Sequence, residues 1–333
     1  MQPLPWEAIN QKIYLSDMSI FCIGEALIDM ICTDKGSALS EGNHFLKKAG
    51  GAPTNVAAAI AALGGEVSIA AKVGNDPFGK HLRDVLQNFG VDTHWLLNDP
   101  EHFTTLAFVS LMENGERDFV FNRGADGFLS EEDLKDLSLP ENCIVHFGSA
   151  TAFLPGPLQT AYTGLLEKAR QQNIFTSFDP NYRHLLFPNG TSHFVEQSRN
   201  FLRQCDFFKV SDEEAMLITG TTDLITAAQE LVKLSPAVFA ITLGKEGTLL
   251  SRQGETTIVP SIAIQPVDTT GAGDAFVGAV LYQLSQYPAG DRRTLSFTEW
   301  QLITARANKA GARTCEFMGA MEAFKHLNHQ ILQ

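Results

Sequence analysis

Short apolar runs that alternate with helix-length amphipathic segments constrain the fold of this 333-residue chain more than any other feature. Runs dominated by apolar residues are typical of strands buried on both faces of a parallel sheet. They are Ser68–Val73, Cys143–Phe147, Ile174–Phe178, Phe207–Val210 and Ala237–Thr242, and each ends near a Gly, Asp or Ser. The alternation predicts βαβ units and a doubly wound, mostly parallel α/β sheet with helices on both faces, a three-layer αβα arrangement.

One segment departs from this rhythm. Thr105–Leu111 and Arg117–Phe121 alternate like exposed strands, and Glu113–Glu116 joins them through an Asn-Gly pair that suits a tight hairpin. Such a hairpin has no place in a parallel series, so we expect it to form a small β-sheet lid with Ile31–Lys48. The alternative is an edge hairpin of the main sheet.

The chain therefore predicts one domain over residues 18–333, with lid segments at about 31–48 and 102–123 inserted in it. Residues 1–17 lack the basic start and apolar run of a signal peptide and are predicted to be an extension outside the fold. The longest apolar stretch, Met18–Cys32, contains Glu25 and Asp29 and is too short and too charged to span a bilayer.

Net charge and cysteine content narrow the possible partners and location. Lys plus Arg is 25 and Asp plus Glu is 38, so the formal charge is 25 − 38 = −13, which disfavours nucleic acid and anionic membrane as partners. The five cysteines show no CxxC pair and no metal-ligand spacing. They are predicted to be small buried hydrophobes of a cytoplasmic protein.

The most informative stretch is Asp268–Phe276, which reads D-T-T-G-A-G-D-A-F. Its glycines permit a tight turn, and apolar residues recur at helical period from Ala272, so a glycine turn is predicted to open a helix. The amides of Gly271, Ala272 and Gly273 would then face a phosphate with the helix dipole behind them. Asp274 would lie in the first turn, either complementing the dipole or removing a proton from a hydroxyl during phosphoryl transfer.

A second glycine-rich stretch begins at Gly50. Pro53 and Gly64 bracket an alanine-rich segment with the usual asymmetry of helix ends. Gly50 and Gly51 would expose backbone groups at the helix start, and Asn55 offers one donor and one acceptor to a polyhydroxylated ligand.

The two stretches in this order resemble the ribokinase-like (PfkB-type) carbohydrate kinases, and the resemblance covers Ser19–Ala323. Further matches follow in the family's order: Gly24–Asp29 after the first strand, Thr242-Leu243-Gly244 with Gly247, and Ala307–Ala310 followed by Gly319-Ala320. The resemblance implies that Asp274 is the general base and that Gly271, Ala272 and Gly273 form the anion hole. It also implies that the sugar is bound by Asp29, Gly50, Gly51 and Asn55.

The same resemblance implies ATP and Mg²⁺ as cofactors. The nucleotide would be bound by Lys209, Thr242, Gly244, Gly247 and Asn308, together with Gly271 and Gly273, and the adenine would lie between the loop after Gly244 and the segment at Asn308. Lys209–Glu214 lies where the family has N-x-x-E, so Glu214 matches the acid that organises Mg²⁺ through water, although Ser211 replaces the usual Asn. Asp268 and Thr270 match a region that holds K⁺ in many members, but Asp268 also suits a cap of the glycine turn.

Three segments are similar to the fructokinase branch of this family: Gly24–Asp29, Phe121–Asp126 and Phe178–Arg183. Asp29 can accept two hydroxyl hydrogen bonds, and Arg123 and Arg183 can bring positive charge to the site or form structural salt bridges. We therefore expect an ATP-dependent kinase that phosphorylates a primary hydroxyl of a hexose, with D-fructose as the substrate. A homodimer formed through the lids is common in such families.

Several alternatives share some or all of these motifs. A 2-keto-3-deoxygluconate kinase or a kinase of ribose or aminoimidazole riboside would differ only in the acceptor pocket. A sugar sensor on the same fold would be expected to lose Asp274 or the glycines, which are present. A dinucleotide-dependent oxidoreductase needs G-x-G-x-x-G after the first strand, where Phe21–Met30 has a single Gly24, and a Walker-type P-loop is absent from the sequence.

Overall fold

A computed structural model describes residues 19–34, 36–111 and 117–333. The predicted extension 1–17 and the hairpin turn Glu113–Glu116 lie outside the described residues. Thirteen strands are described along the chain: β1 (Ile20–Ile23), β2 (Leu27–Cys32), β3 (Phe45–Gly50), β4 (Val67–Gly74), β5 (Leu96–Asp99), β6 (Leu106–Leu111), β7 (Arg117–Asn122), β8 (Ile144–Phe147), β9 (Phe175–Phe178), β10 (Phe207–Ser211), β11 (Val238–Thr242), β12 (Thr248–Arg252) and β13 (Glu255–Val259).

The predicted parallel sheet is confirmed. Nine of the described strands form one sheet in the order β13-β12-β11-β10-β9-β8-β1-β4-β5. From β5 to β11 all neighbours are parallel, whereas β12 and β13 close one edge as antiparallel strands. Parallel strands end at the same edge, so polar residues that follow β1, β8, β9 and β10 are brought together there.

Helices cover both faces of this sheet. The described α-helices are α1 (Ala52–Ala62), α2 (Pro77–Phe89), α3 (Pro157–Gln171), α4 (Thr191–Leu202), α5 (Asp212–Thr219), α6 (Leu224–Leu234), α7 (Ala272–Ser285), α8 (Phe297–Thr314) and α9 (Ala320–Phe324). Helices α1, α2, α7, α8 and α9 pack in one core, and α3 to α6 pack in the other. The two cores lie on opposite faces of the sheet, because side chains alternate along each strand. In β1, Ile20 and Cys22 belong to the first core, whereas Phe21 and Ile23 belong to the second.

Local sequence explains the helix boundaries that matter for the site. Asp76 caps α2 by accepting the amides of Phe78 and Gly79 at 2.9 Å, and Gly90 ends the helix with a φ of 91°. The predicted glycine turn before α7 is also confirmed, with Gly271 at a φ of 81°. A Cβ at Gly278 of α7 would lie 2.9 Å from Ala59 of α1, so these two helices pack closely.

A separate four-stranded sheet has the order β3-β2-β6-β7. The β6–β7 hairpin pairs within this small sheet, so the alternative of an edge hairpin in the main sheet is wrong. The two halves join through parallel pairing of β2 with β6, whereas β2–β3 and β6–β7 are antiparallel. Pairing begins at Leu27 and Gly50, outside the expected segment 31–48. Asp29 therefore lies on the small sheet itself.

In the described parts of the chain, none of the helices combines the length and apolar character that a bilayer crossing needs.

Candidate active site

Asp274 lies in the first turn of α7 at the edge where the parallel strands end. Its Oδ2 accepts a hydrogen bond of 2.8 Å from Nδ2 of Asn55, in the first turn of α1. Burial raises the pKa of Asp274 to about 6, and the charge of Asp179 raises it further, whereas Asn55, Arg183 and Lys209 act against the increase. The carboxylate is thus ionised at neutral pH and a stronger base than an exposed aspartate.

Asn55 carries an unused acceptor into this site. It is 9% exposed, and its buried Oδ1 accepts no hydrogen bond from the described residues. A buried amide oxygen without a partner is unfavourable, so this atom is suited to a hydrogen-bond donor on a ligand. Asp274 and Asn55 together therefore present acceptors to a hydroxyl group.

The glycine turn before α7 supplies an anion-binding helix N-terminus beside Asp274. The expectation of three free amides needs a correction, because the N–H of Ala272 donates to the carbonyl of Thr269 at 3.2 Å and closes the turn. The amides of Gly271 and Gly273 have no backbone acceptor among the described residues. Both amides lie at the N-terminus of α7, where the helix dipole favours a negatively charged group.

Lys209 brings a buried positive charge to the same turn. A Cβ at Gly273 would lie 3.3 Å from its Nζ, so glycine is what lets the ammonium approach. Lys209 is 8% exposed and forms an ion pair of 3.2 Å with Asp179, which is 3% exposed. Burial alone would lower the pKa of Lys209, but Asp179, Glu214 and Asp274 raise it, so the side chain stays charged.

Glu214 is held in place from two sides. Ser211 and Glu214 form a capping box at the start of α5, in which Glu214 Oε2 accepts the Ser211 amide at 2.8 Å. Glu214 Oε1 accepts the Tyr182 amide at 2.7 Å. Each oxygen keeps a second lone pair, which fits a water-mediated contact to Mg²⁺. Serine at position 211 fulfils the capping role, so its departure from the usual Asn has a local structural explanation.

Asp29 and Gly50 are diagonal neighbours on one face of the β2–β3 pair, in which Asp29 pairs with Lys48 and Gly50 with Leu27. A Cβ at Gly50 would lie 2.1 Å from Asp29 Oδ2, so only glycine leaves room for this carboxylate. Burial raises the pKa of Asp29 to about 6, and the positive charge of Arg183 opposes the increase. Arg183 also acts on Asp274, so the structure places this exposed guanidinium near both carboxylates. Gly51 has a φ of 103° and starts α1.

Arg123 is not brought to this group by any described contact. Its guanidinium donates to the carbonyls of Pro155 at 2.7 Å and Thr151 at 3.2 Å, and Nε lies 3.5 Å from the buried carboxylate of Asp126. Nε itself has no hydrogen-bond acceptor among the described residues. Arg123 thus forms the structural salt bridge that the sequence left open as an alternative.

The expected nucleotide residues meet around one segment, Val259–Ser261. A Cβ at Gly247, which has a φ of 107°, would lie 2.1 Å from the Val259 carbonyl. Asn308 donates to the carbonyls of Val259 at 2.9 Å and Pro260 at 3.3 Å, and accepts from Thr248 at 2.6 Å. Its side chain therefore fixes this segment and has little capacity left for a ligand.

The other residues expected at the nucleotide, Thr242 and Gly244, lie at and just after the end of β11. Thr242 stands beside Ser211 at the ends of the paired strands β11 and β10. Gly244 opens the turn after β11 with a φ of 57° and is exposed. A Cβ at Gly311 on α8 would lie 3.0 Å from the Ala272 carbonyl, so this end of the groove adjoins the glycine turn.

Asp268 caps the glycine turn. Oδ1 accepts the amide of Thr270 at 3.0 Å and its hydroxyl at 2.7 Å, and Oδ2 accepts the amide of Gly319 at 2.7 Å. Burial would raise the pKa of Asp268, but these hydrogen bonds outweigh it and lower the pKa. The capping alternative is thus observed for this side chain, and a cation here would rely on backbone carbonyls.

Two acidic residues at the site had no role assigned from sequence. Asp179 follows β9 and pairs with Lys209, and Glu25 follows β1 and is 1% exposed. A signal was available, because each is a carboxylate directly after a buried parallel strand, where ligands and buried partners converge.

Comparison with known proteins places this arrangement in a family. The profile of the pfkB family carbohydrate kinases matches residues 17–326. Fructokinase-1 of Zea mays is 35% identical over 305 residues, covering 91% of this chain and 93% of its own.

Solved structures agree with the sequence match. Fructokinase from Vibrio cholerae O395 with fructose, ADP and calcium ion has a TM-score of 0.79 at 32% identity, over 95% of this chain and 98% of its own. A double mutant of that enzyme with fructose, ADP and potassium ion has a TM-score of 0.80 at 31% identity, over 95% and 97%. Fructokinase from Xylella fastidiosa with bound ATP has a TM-score of 0.82 at 29% identity, over 94% and 96%. With a profile match over residues 17–326 and a 35% identical relative covered almost throughout, the chain belongs to the pfkB family of carbohydrate kinases.

Proposed function

We propose that this protein is an ATP-dependent fructokinase, which transfers the γ-phosphoryl group to a primary hydroxyl of D-fructose and forms fructose 6-phosphate. The observation that carries the proposal is the pair Asn55 and Asp274, held together at 2.8 Å beside the N-terminus of α7. A base, an unused acceptor and an anion site within one cluster are what hydroxyl phosphorylation requires. The 35% identical Fructokinase-1 of Zea mays supports fructose as the acceptor.

Asp274 takes the proton from the attacking hydroxyl. Its raised pKa of about 6 keeps it ionised at pH 7 yet brings it closer to the working pH, which favours general-base catalysis. The amides of Gly271 and Gly273 and the ammonium of Lys209 stabilise the charge on the transferring phosphoryl group. Because these donors are fixed before the reaction, they need no reorganisation in the transition state.

At the acceptor end, Asp29 accepts sugar hydroxyls and Asn55 Oδ1 accepts a further one. Gly50 and Gly51 allow the sugar to approach the backbone at the start of α1. Arg183 lies near both carboxylates, and it is also the residue that would favour 2-keto-3-deoxygluconate, because it could pair with that sugar's carboxylate. This is the second candidate substrate.

At the nucleotide end, Thr242, Gly244 and Gly247 line the groove, and Asn308 supports its wall. Glu214 would hold Mg²⁺ through water, and the ion would neutralise phosphate charge when bound. We also propose that backbone carbonyls of Asp268 and Thr270 bind a K⁺ ion.

We also propose a cytoplasmic homodimer that forms through the lids. All five cysteines are free, which suits a reducing compartment. On the face of the small sheet that carries Asp29, Ile31 is 39% exposed and Leu46 is 45% exposed. This apolar row is suited to a second lid.

A coupled ADP-release assay with fructose, ribose, 2-keto-3-deoxygluconate, adenosine and aminoimidazole riboside tests the substrate. We expect fructose to give the highest kcat/KM, and Asp274→Asn to abolish ADP release with every sugar used by the wild type. A higher kcat/KM for 2-keto-3-deoxygluconate would move the assignment to the second candidate. Absence of ADP release with all five compounds would refute the proposal.

A further inference from the structure

A chain of buried polar side chains links the bases of all four lid strands to the large sheet. Glu25 precedes β2, Thr105 precedes β6, Asp126 follows β7, and Ser149 and Thr151 follow β8. We call these five residues the root network. Each is at most 2% exposed. The remaining lid strand, β3, is joined through Ala52, which follows it and donates to Glu25.

The hydrogen bonds of the root network run from one half of the lid to the other. Glu25 Oε1 accepts the Ala52 amide at 2.9 Å, and Oε2 accepts the Ser149 hydroxyl at 2.5 Å. The Thr151 hydroxyl donates to Asp126 Oδ2 at 2.8 Å, and the Thr105 hydroxyl donates to Asp126 Oδ1. Thr151 joins the two carboxylates, because its amide donates to Ser149 Oγ at 3.2 Å while its hydroxyl donates to Asp126.

The direction of these bonds favours the ionised form of Glu25. Ser149 Oγ already accepts the amides of Thr151 at 3.2 Å and Ala152 at 3.0 Å, so its lone pairs are occupied and its proton goes to Glu25. Both oxygens of Glu25 therefore face donors. A protonated carboxyl or a glutamine would place a hydrogen against one of these donors.

Glu25 also holds the start of α1 through its backbone. Its carbonyl accepts the Thr54 hydroxyl at 3.0 Å, and a Cβ at Gly51 would lie 2.5 Å from that carbonyl oxygen. Gly50 and Gly51, which adjoin Asp29, are thus fixed between Glu25 and the helix that carries Asn55. The contact chain leads from Glu25 to the residues that would bind the sugar, and the expected nucleotide residues take no part in it.

We infer that Glu25 is a positioning residue of the acceptor site, acting as an ionised carboxylate that fixes the di-glycine turn and couples it to the lid through the root network. The inference rests on the proposed function, because its test follows fructose phosphorylation. Glu25 does not touch the reacting atoms, so its removal should weaken the KM for fructose more than kcat.

Proton binding by Glu25 should be visible in the enzyme kinetics. Burial raises its pKa to about 7 and the charge of Asp126 adds to this, whereas the hydrogen bonds from Ser149 and Ala52 lower it. The other ionisable groups at the network are Arg123, beside Asp126, and Tyr162 of α3, whose hydroxyl accepts the Ser149 amide at 3.2 Å. The fructose KM should thus rise as the pH falls below about 7, whereas a second rise near pH 6 is expected from Asp29 and should persist when Glu25 is replaced.

The experiment measures KM for fructose and ATP, kcat and thermal stability from pH 5.5 to 8.5 for the wild type, Glu25→Gln and Ser149→Ala. Glu25→Gln should raise the fructose KM by about ten- to hundred-fold, which is the effect of losing one charge-assisted hydrogen bond. It should also remove the change in fructose KM that the wild type shows near pH 7. The KM for ATP should stay at the wild-type value. Ser149→Ala should move the change to higher pH, because it removes a bond that favours the ionised form.

Ser198→Ala is the matched control, because Ser198 is fully buried and its hydroxyl has no partner among the described residues. It should leave both KM values and the pH profile unchanged. A purely structural role for Glu25 would lower thermal stability and the active fraction, seen as lower kcat at constant KM, and would overturn the inference. If Glu25→Gln does not fold, an unshifted pH profile in Ser149→Ala overturns it, and the predicted shift supports it. If the wild type does not phosphorylate fructose, the proposed function fails, and the same variants are measured with the sugar found in the ADP-release assay.

Discussion

The proposed acceptor and nucleotide ends of the active site satisfy their polar groups in opposite ways. At the acceptor end, Asn55 Oδ1 and both oxygens of Asp29 accept no hydrogen bond from the described residues, and the pKa values of Asp29 and Asp274 are raised to about 6. At the nucleotide end, the side-chain amide of Asn308 donates to the carbonyls of Val259 and Pro260 and accepts from the Thr248 hydroxyl. The acceptor end therefore keeps polar capacity for a ligand, whereas the nucleotide end uses side chains to shape a backbone surface. Substitutions at the first should change binding and pH dependence, and substitutions at the second should change stability.

The largest expected effect is at the base. Asp274→Asn keeps the hydrogen-bonding shape of the side chain but cannot take a proton, so kcat should fall by about 10²–10⁴-fold with little change in the fructose KM. Steady-state kinetics measure this, with Glu299→Gln in the first turn of α8 as a control that should keep kcat. A variant with more than about a third of the wild-type kcat would reduce Asp274 to a residue that complements the helix dipole.

Gly273→Val should act where the two ends meet. Its Cβ would lie 3.3 Å from Lys209 Nζ and narrow the approach to the turn amides, so kcat should fall by about 10²–10³-fold, the usual effect of losing an anion-hole donor, with weaker ATP binding. Gly290→Val is the matched control, because nothing lies within 4 Å of a Cβ there. Normal ATP affinity in Gly273→Val, measured by calorimetry, would place the phosphates elsewhere.

Asp29→Ala tests the acceptor end alone. Loss of its charge-assisted hydrogen bonds should lower kcat/KM for fructose by roughly ten- to hundred-fold and leave the KM for ATP nearly unchanged. Asp34→Ala, also in the lid segment between β2 and β3, should change neither value. Equal weakening of ATP and fructose would contradict the division of the groove into two ends.

The smallest catalytic effect is expected for Asn308→Ala. Removing its amide leaves the buried hydroxyl of Thr248 and the carbonyl of Val259 without partners, so the free energy of unfolding should fall by about 1–3 kcal/mol. The fructose KM should stay the same. Denaturant unfolding measures the loss, with the exposed Asn200→Ala as a control, and a stable variant with strongly raised fructose KM would break the comparison.

The sequence predicted the large sheet because its signals are local. Apolar runs ended by Gly, Asp or Ser become β4 and β8 to β11, and the turn at Gly271 opens α7 as expected. Both depend on neighbouring residues that pattern reasoning can see. The start of the lid at Leu27 was missed, because the pairing of β2 with β6 is set by residues far apart in the chain.

The site residues show the same difference between local sequence signals and contacts that form only on folding. Asn55 and Asp274 were each singled out by a separate glycine-rich motif. Only the family resemblance indicated that the two residues belong to one site, and the structure joins them by a hydrogen bond. The sequence left Arg123 open between the substrate site and a structural salt bridge, because its charge is visible in the sequence but its partners Asp126 and Pro155 are visible only after folding. The buried bonding of Glu25 could not be foreseen for the same reason, since Ser149 lies 124 residues away along the chain.

The parallel pairing of β2 with β6 bears on the order in which the molecule acquires its structure. Ile28 pairs with Leu106, and α1, β4, α2 and β5 lie between them along the chain. Closing so long a loop is entropically unfavourable until other contacts bring the two strands close together. The lid is therefore expected to form after the first half of the large sheet. On unfolding it should open first, as a separate cooperative unit whose amide hydrogens exchange with solvent before those of β1 and β8. The small sheet that carries Asp29 is therefore also the part that the chain is expected to complete last.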